Sequence, residues 1–287
     1  MSAEQQLARL ERQILGAARV SSFLDTVDLL RRMLAQESPE IRARVLTLVA
    51  PSIGRDLAAA VGAAWNIGVL DAEKVIGEGR VKGVPGTPPK TLVAAARASE
   101  KAIGAELAKA RKLARVGADV ATVLAPVFAA SNVLQRDVTT LVNHAGNKGT
   151  AAVADSAGLS TVWVAETNAC VECLAYSGRI SKPGKPFPGG LTYGAKSYHP
   201  DPVDVPPLHP RCRCELEPLV SREYADALRR EADRSVLRGF SLESEPMRVR
   251  VEAAERLLAR GVDAPKSVIA YARRAVKRGE FGTRGRP

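Results

Sequence analysis

Residues 161–178 read TVWVAETNACVECLAYSG and residues 207–216 read PLHPRCRCEL, and the spacing inside these two stretches decides how the region between them folds. Cys170-x2-Cys173 is followed, after 35 intervening residues, by His209-x2-Cys212-x-Cys214. A C-x-x-C turn directs two thiolates at one point, and in an extended segment residues 212 and 214 project to the same side. Two local chelates joined by a long loop can therefore close a tetrahedral metal site. Five donors compete for its four positions, and because i, i+2 spacing is wide for one ion, His209 can replace either Cys212 or Cys214. A site filled by protein donors is a closed, structural one, for which a single Zn²⁺ per chain is the expected ion; catalytic zinc keeps an open position and needs a nearby acid or base. Glu166, Glu172 and Glu215 are the carboxylates a catalytic reading would invoke. A redox C-x-x-C pair and inert buried thiols are the competing readings, and the downstream chelate ranks both below metal.

Working outward, TVWVAE (161–166) is β-branched and aromatic, and RCRCEL (211–216) alternates as a strand does, so the cysteine pairs flank a small β-containing unit. The intervening residues 177–210 are dense in glycine and proline and cannot supply a helix. Such a loop has to be pinned by something else.

The flanks read as helices. Ser2 caps a run with Leu7, Leu10, Ile14 and Leu15 on one face, continued by Phe23, Val27, Leu30 and Leu34. Ser38-Pro39-Glu40 opens a helix through Val49 that Pro51 interrupts, and another is expected from Ile53 towards Ile67. The run GEGRVKGVPGTPPK (77–90) reads as an extended connector. Helical spacing resumes from Thr91 to Leu113 and again from Val120 to Val142, with Pro126 as an expected kink, so the two runs can form a hairpin. After Val220, Ser221 caps a run to Arg238, a second follows Pro246 to Arg260 and a third follows Pro265 to Arg278. The expected fold is α+β and predominantly α-helical, with long helical arms around a zinc-stabilised module. Its expected organisation is an N-terminal helical region (1–76), a linker (77–90), a helical hairpin plus metal module (91–220) and basic C-terminal helices (221–287).

Composition agrees with this reading. Aromatics are only 4% of 287 residues, which suits helices packed through small side chains better than a β-sandwich. The 42 Lys+Arg against 31 Asp+Glu give net +11, a balance that favours a polyanion or acidic neighbour. Met1–Val20 carries Glu4, Arg9, Glu11 and Arg12 in place of a signal peptide's apolar core, so synthesis in a cytosol and no membrane association are expected. Thiols stay reduced there, which again favours metal over disulfides for cysteines confined to one 45-residue window. From residue 271 onward Arg273, Arg274, Lys277, Arg278, Arg284 and Arg286 face Glu280 alone, a segment able to touch DNA phosphates nonspecifically or simply to end in a solvated helix. No aromatic interleaving or helix-turn-helix pattern points to single-strand stacking or sequence-specific reading. His144 reads as a residue at a helix end and His199, in SYHPDP, as a turn residue. G-x-S-x-G, G-x-x-x-x-G-K-[ST] and H-E-x-x-H are absent from the sequence, which leaves an enzyme without its usual local parts.

WVAETNACVECLAYSG (163–178) followed by PLHPRCRC (207–214) resembles the Mu F-like minor head proteins of tailed phages. That family shows a strand with a tryptophan, an acidic position, C-x-x-C, a glycine a few residues on, and H-P-x-C-R-C before another strand. Here Glu166 or Thr167 stands where an aspartate is commoner. The resemblance covers roughly residues 120–218. It implies a low-copy structural protein of head morphogenesis, made in the host bacterial cytoplasm and carried into the virion at the capsid interior or portal vertex. It implies the portal protein and the major capsid or scaffolding protein as partners, with possible contact to packaged DNA. The alternatives it leaves are a capsid maturation protease, for which Ser197 and His199 are the residues to substitute, and a DNA-associated internal or ejected virion protein.

Overall fold

The computed structural model describes residues 57–77, 81, 83–166, 169–210, 212–239 and 245–282. The helices expected within residues 1–52 fall outside these, as do Thr167, Arg284 and Arg286. Among the described residues the elements run α1 (Leu57–Ile76), α2 (Lys90–Arg115), α3 (Val120–Ser156), β1 (Thr161–Val164), α4 (Val171–Tyr176), β2 (Ile180–Ser181), β3 (Glu215–Pro218), α5 (Arg222–Arg238), α6 (Met247–Arg260) and α7 (Lys266–Arg278). The protein is thus predominantly helical with one small antiparallel sheet, the α+β class expected.

The chain forms two compact units. One contains the described residues up to Asp71 together with Pro85–Gly149; the other contains Ala72–Val84 and Thr150–Pro287. The region 91–220 expected as one domain is therefore distributed over both.

In the first unit the apolar faces of the helices meet in one cluster. Leu57 and Val61 of α1, Ile103 and Leu107 of α2, and Leu134 and Val138 of α3 are fully buried, with alanines 64, 96, 110 and 130 filling the gaps between them. Small side chains let helices approach closely, and the glycines take this to its limit. A Cβ built on Gly68 would run into the Gly146 carbonyl oxygen, and one on Gly149 into the Trp65 carbonyl oxygen. This contact overturns two expectations. α3 does not stop at Val142 but runs to Ser156, and His144 sits inside it rather than at its end. Glycine in a helical pattern ordinarily signals a C-terminus; here the backbone-to-backbone crossing needs it, and packing outweighs its weak helix propensity. The helix expected to end near Ile67 likewise continues to Ile76.

In the second unit β1 is the central strand, in the order β2-β1-β3. Trp163 lies opposite Leu216, and Thr161 pairs with both Ser181 and Pro218. The strands differ from expectation: the first covers 161–164 rather than 161–166, and the second 215–218 rather than 211–216, Cys212 and Cys214 belonging to the cysteine cluster instead. Three helices follow. Ser221 caps α5, its hydroxyl accepting the Tyr224 N–H at 3.1 Å, and α6 and α7 each begin directly after a proline, Pro246 and Pro265, as their sequences predict. α7 packs on both α5 and α6.

Candidate metal centre

The first chelate is built by a helix start. Cys170 is the N-cap of α4, and its Sγ accepts the Cys173 N–H at 3.5 Å. The capping geometry turns both sulfurs to one side of the first helical turn. The second chelate is built by a turn: the Cys212 N–H donates to the His209 carbonyl at 3.1 Å, which reverses the chain between the two residues. From Cys214 the chain enters β3, whose pairing with β1 brings the downstream chelate beside the upstream one.

The two chelates meet at Cys173. Its Sγ lies 3.4 Å from His209 Nε2 and 3.5 Å from Cys212 Sγ, and Cys170 Sγ lies 3.2 Å from the same His209 nitrogen. Cys170, Cys173 and His209 form one triad and Cys173, Cys212 and Cys214 another, with the donor atoms inside each triad all within 4.8 Å of one another. All five residues expected as ligands are brought together, and the cluster can hold a metal ion. Cys173, Cys212 and Cys214 are buried, whereas Cys170 and His209 are half-buried.

Crowding of sulfurs in a dry pocket polarises the group. Contact with Cys173, reinforced by His209, draws the Cys170 thiol down to about 4, and contact with Cys173 and Cys214 draws Cys212 down to about 3. Cys173 is pushed the other way by Cys170, Cys212 and Cys214. Cys214 is favoured as thiolate by Cys173 but driven up overall by Cys212 and by burial. The neighbouring Cys170 raises His209 to about 9. The cluster thus favours thiolate at Cys170 and Cys212, one in each chelate, and thiolates are what metals bind.

Two of the acids a catalytic reading would invoke accept backbone N–H groups. Glu166 accepts the Arg213 N–H at 3.2 Å, and burial raises its carboxyl. Glu172, only 4% exposed, accepts the Tyr198 N–H and lies 3.6 Å from His199 Nε2. Glu215 begins β3. Ser197 Oγ accepts the N–H of His199 at 3.0 Å, a local turn contact between hydroxyl and backbone. A cleft of roughly 460 Å³ opens beside the centre, lined by Cys170 and His209 together with Glu172, His199, Glu245 and Arg248. Glu245 accepts the Val171 N–H at 3.4 Å from across it.

The Cys/His cluster is not the only group of side chains that fixes the Gly/Pro loop. Trp163, Tyr176 and Phe187 are fully buried and stacked edge and tilt, with Trp163 4.8 Å from Tyr176 and 5.3 Å from Phe187 between ring centroids. Phe187 and Val203 exchange both backbone hydrogen bonds, at 2.7 and 3.0 Å, making the loop a small hairpin. The Tyr193 hydroxyl donates to Asp233 of α5 at 2.6 Å. Gly178, at φ +69°, sits where a Cβ would strike the Ala225 carbonyl of α5. Trp163 and Gly178 were read only as parts of the motif; the anchoring roles of Tyr176, Phe187, Val203, Tyr193 and Asp233 escaped the sequence reading. Their one signal was that the loop's scarce aromatics lie within a Gly/Pro background that should not need them.

Comparison of the chain with family models, with curated proteins and with solved structures gives no match. Among the described residues no helix is long and apolar enough to cross a membrane.

Proposed function

We propose that this chain is a structural minor protein of a tailed-phage head, of the Mu F-like type, and that its Cys/His cluster binds one structural Zn²⁺. The observation that carries the zinc reading is the meeting of two chelates at Cys173. Zinc–sulfur bonds of about 2.3 Å and zinc–nitrogen bonds of about 2.0–2.1 Å give a tetrahedron with sulfur–sulfur edges of about 3.8 Å and sulfur–nitrogen edges of about 3.5 Å. Three separations, Cys170–His209 at 3.2 Å, Cys173–His209 at 3.4 Å and Cys173–Cys212 at 3.5 Å, lie within a few tenths of an ångström of such edges, and binding would draw the two triads together about Cys173. Thiolate and imidazole donors suit zinc better than hard cations. Bound there, the ion ties the start of α4 to the strand entering β3, closing the Gly/Pro loop.

The head assignment rests on the resemblance of residues 163–178 and 207–214. In this reading the metal keeps a loop-rich module rigid, while exposed apolar side chains on the helices, such as Val75 and Phe128, offer contacts to the portal and to the major capsid or scaffolding protein. The protein is made in the host bacterial cytoplasm and ends in the virion, at the capsid interior or portal vertex.

Co-expression with the portal and major capsid proteins of the same genome tests both halves. Co-purification with either protein and one zinc per chain by elemental analysis are expected. A chain that carries zinc but joins neither partner overturns the head assignment alone; a metal-free chain that joins them overturns the zinc site alone. Trimming of the capsid subunit, lost in Ser197→Ala and His199→Ala variants, would replace the structural role with a protease.

A further inference from the structure

The third helix of the C-terminal trio differs from the two it packs against. α5 and α6 carry arginines, but each also supplies carboxylates one turn away: Arg229 with Asp226, Arg234 with Glu231, and Arg248 with Glu252. α7 has Lys266, Arg273, Arg274, Lys277 and Arg278 and no acid within the helix. All five side chains are exposed, and among the described residues none is paired with a carboxylate.

Helix physics explains only part of this. Lys277 and Arg278 lie in the last turn, where cations favour the negative end of the macrodipole. Lys266 is the first helical residue, where a cation opposes the dipole, and Arg273 and Arg274 lie in mid-helix. The dipole therefore does not account for their placement. The opposite face of α7 is already used: Val268, Ala272 and Ala275 are buried against the other two helices, and Tyr271 lies 6.1 Å from Phe281.

We propose that the exposed face of α7 is a docking surface for the phosphate backbone of duplex nucleic acid. Repeated anionic charge along a rod matches a row of cations spread over about three turns of helix. A membrane surface fits less well, because interfacial helices insert an apolar face, and that of α7 is buried in the protein. Base stacking fits less well too, since the exposed face carries no aromatic ring. Recognition of this kind is independent of sequence and weakens steeply with salt.

Binding of the full chain to a random-sequence 30-base-pair duplex, followed by fluorescence anisotropy across a salt series, tests this. The Arg273→Gln/Arg274→Gln/Lys277→Gln variant is expected to bind on the order of tenfold or more weakly at low salt, with a log–log salt slope shallower by about three. Arg273→Lys/Arg274→Lys, which preserves the charge, should keep the wild-type slope. Arg97→Gln/Lys101→Gln/Lys109→Gln removes the same charge from exposed sites on α2 and should change the slope by less than one unit. Equal effects of the two triple Gln variants would reduce the interaction to net charge and overturn the proposal. Binding to phosphatidylserine vesicles or to poly-glutamate in preference to the duplex would overturn it as well.

Discussion

The two compact units reach an ordered state by opposite means. In the first, helices with regular apolar stripes pack side by side, and the closest contacts are backbone on backbone through Gly68, Gly146 and Gly149. In the second, a loop with little regular structure is held by a few discrete attachments: the Cys/His cluster gathered around Cys173, an aromatic triad, a two-bond bridge and a tyrosine–aspartate contact. The first kind of order is spread over many small contributions. The second is concentrated, so single residues there carry far more of the structure.

That contrast can be broken most directly at Cys173, the residue common to both triads. Cys173→Ser is expected to abolish metal binding and unfold the 177–210 loop, which limited proteolysis would detect as new cleavage between Gly178 and His209. Metal retained at full stoichiometry in this variant would sink the shared-ligand geometry. Acidification should act in the same direction, because protons compete with the metal for thiolates: metal loss is expected as pH falls, followed by a chromophoric zinc indicator.

Next in size is the aromatic triad. Trp163→Ala removes a fully buried ring and should cost about 3–5 kcal/mol in denaturant unfolding, with metal bound until the transition. A smaller effect is expected in the first unit. Gly68→Val forces a side chain against the Gly146 carbonyl and should destabilise by about 1–3 kcal/mol, leaving metal stoichiometry untouched. Loss of metal in that variant would show that the two modes of order are coupled. Smallest is Ser221→Ala, which deletes the α5 cap and should cost about 1 kcal/mol in thermal unfolding.

Comparing Cys170→Ser with Cys214→Ser sharpens the account of the centre itself. Cys170 is half-buried, lines the cleft and touches His209; Cys214 is fully buried among sulfurs. The variant that keeps one ion per chain marks the donor a four-coordinate site can spare.

Much of this was legible locally. The starts of α5, α6 and α7 could be read from Ser221, Pro246 and Pro265, because capping and proline chemistry act within a turn of the residue that supplies them. The five metal candidates were legible from spacing for the same reason. The length of α3 was not: Gly146 and Gly149 look like terminators until a second helix lies across them. Nor was the burial of Glu172, whose partners Tyr198 and His199 are brought to it by the folded loop.

The sequence alone determined the helical periodicities, the caps, the strand-forming TVWV segment and the candidate metal donors, since each depends on neighbours within a few residues. Only the tertiary structure decided that Cys173 is common to both triads of the Cys/His cluster, that the glycines of α3 serve a helix crossing, and that the loop has an aromatic anchor. Those outcomes depend on which distant segments meet, and no local pattern encodes a meeting between residues 39 or 78 positions apart, as Cys173 and Cys212 or Gly68 and Gly146 are.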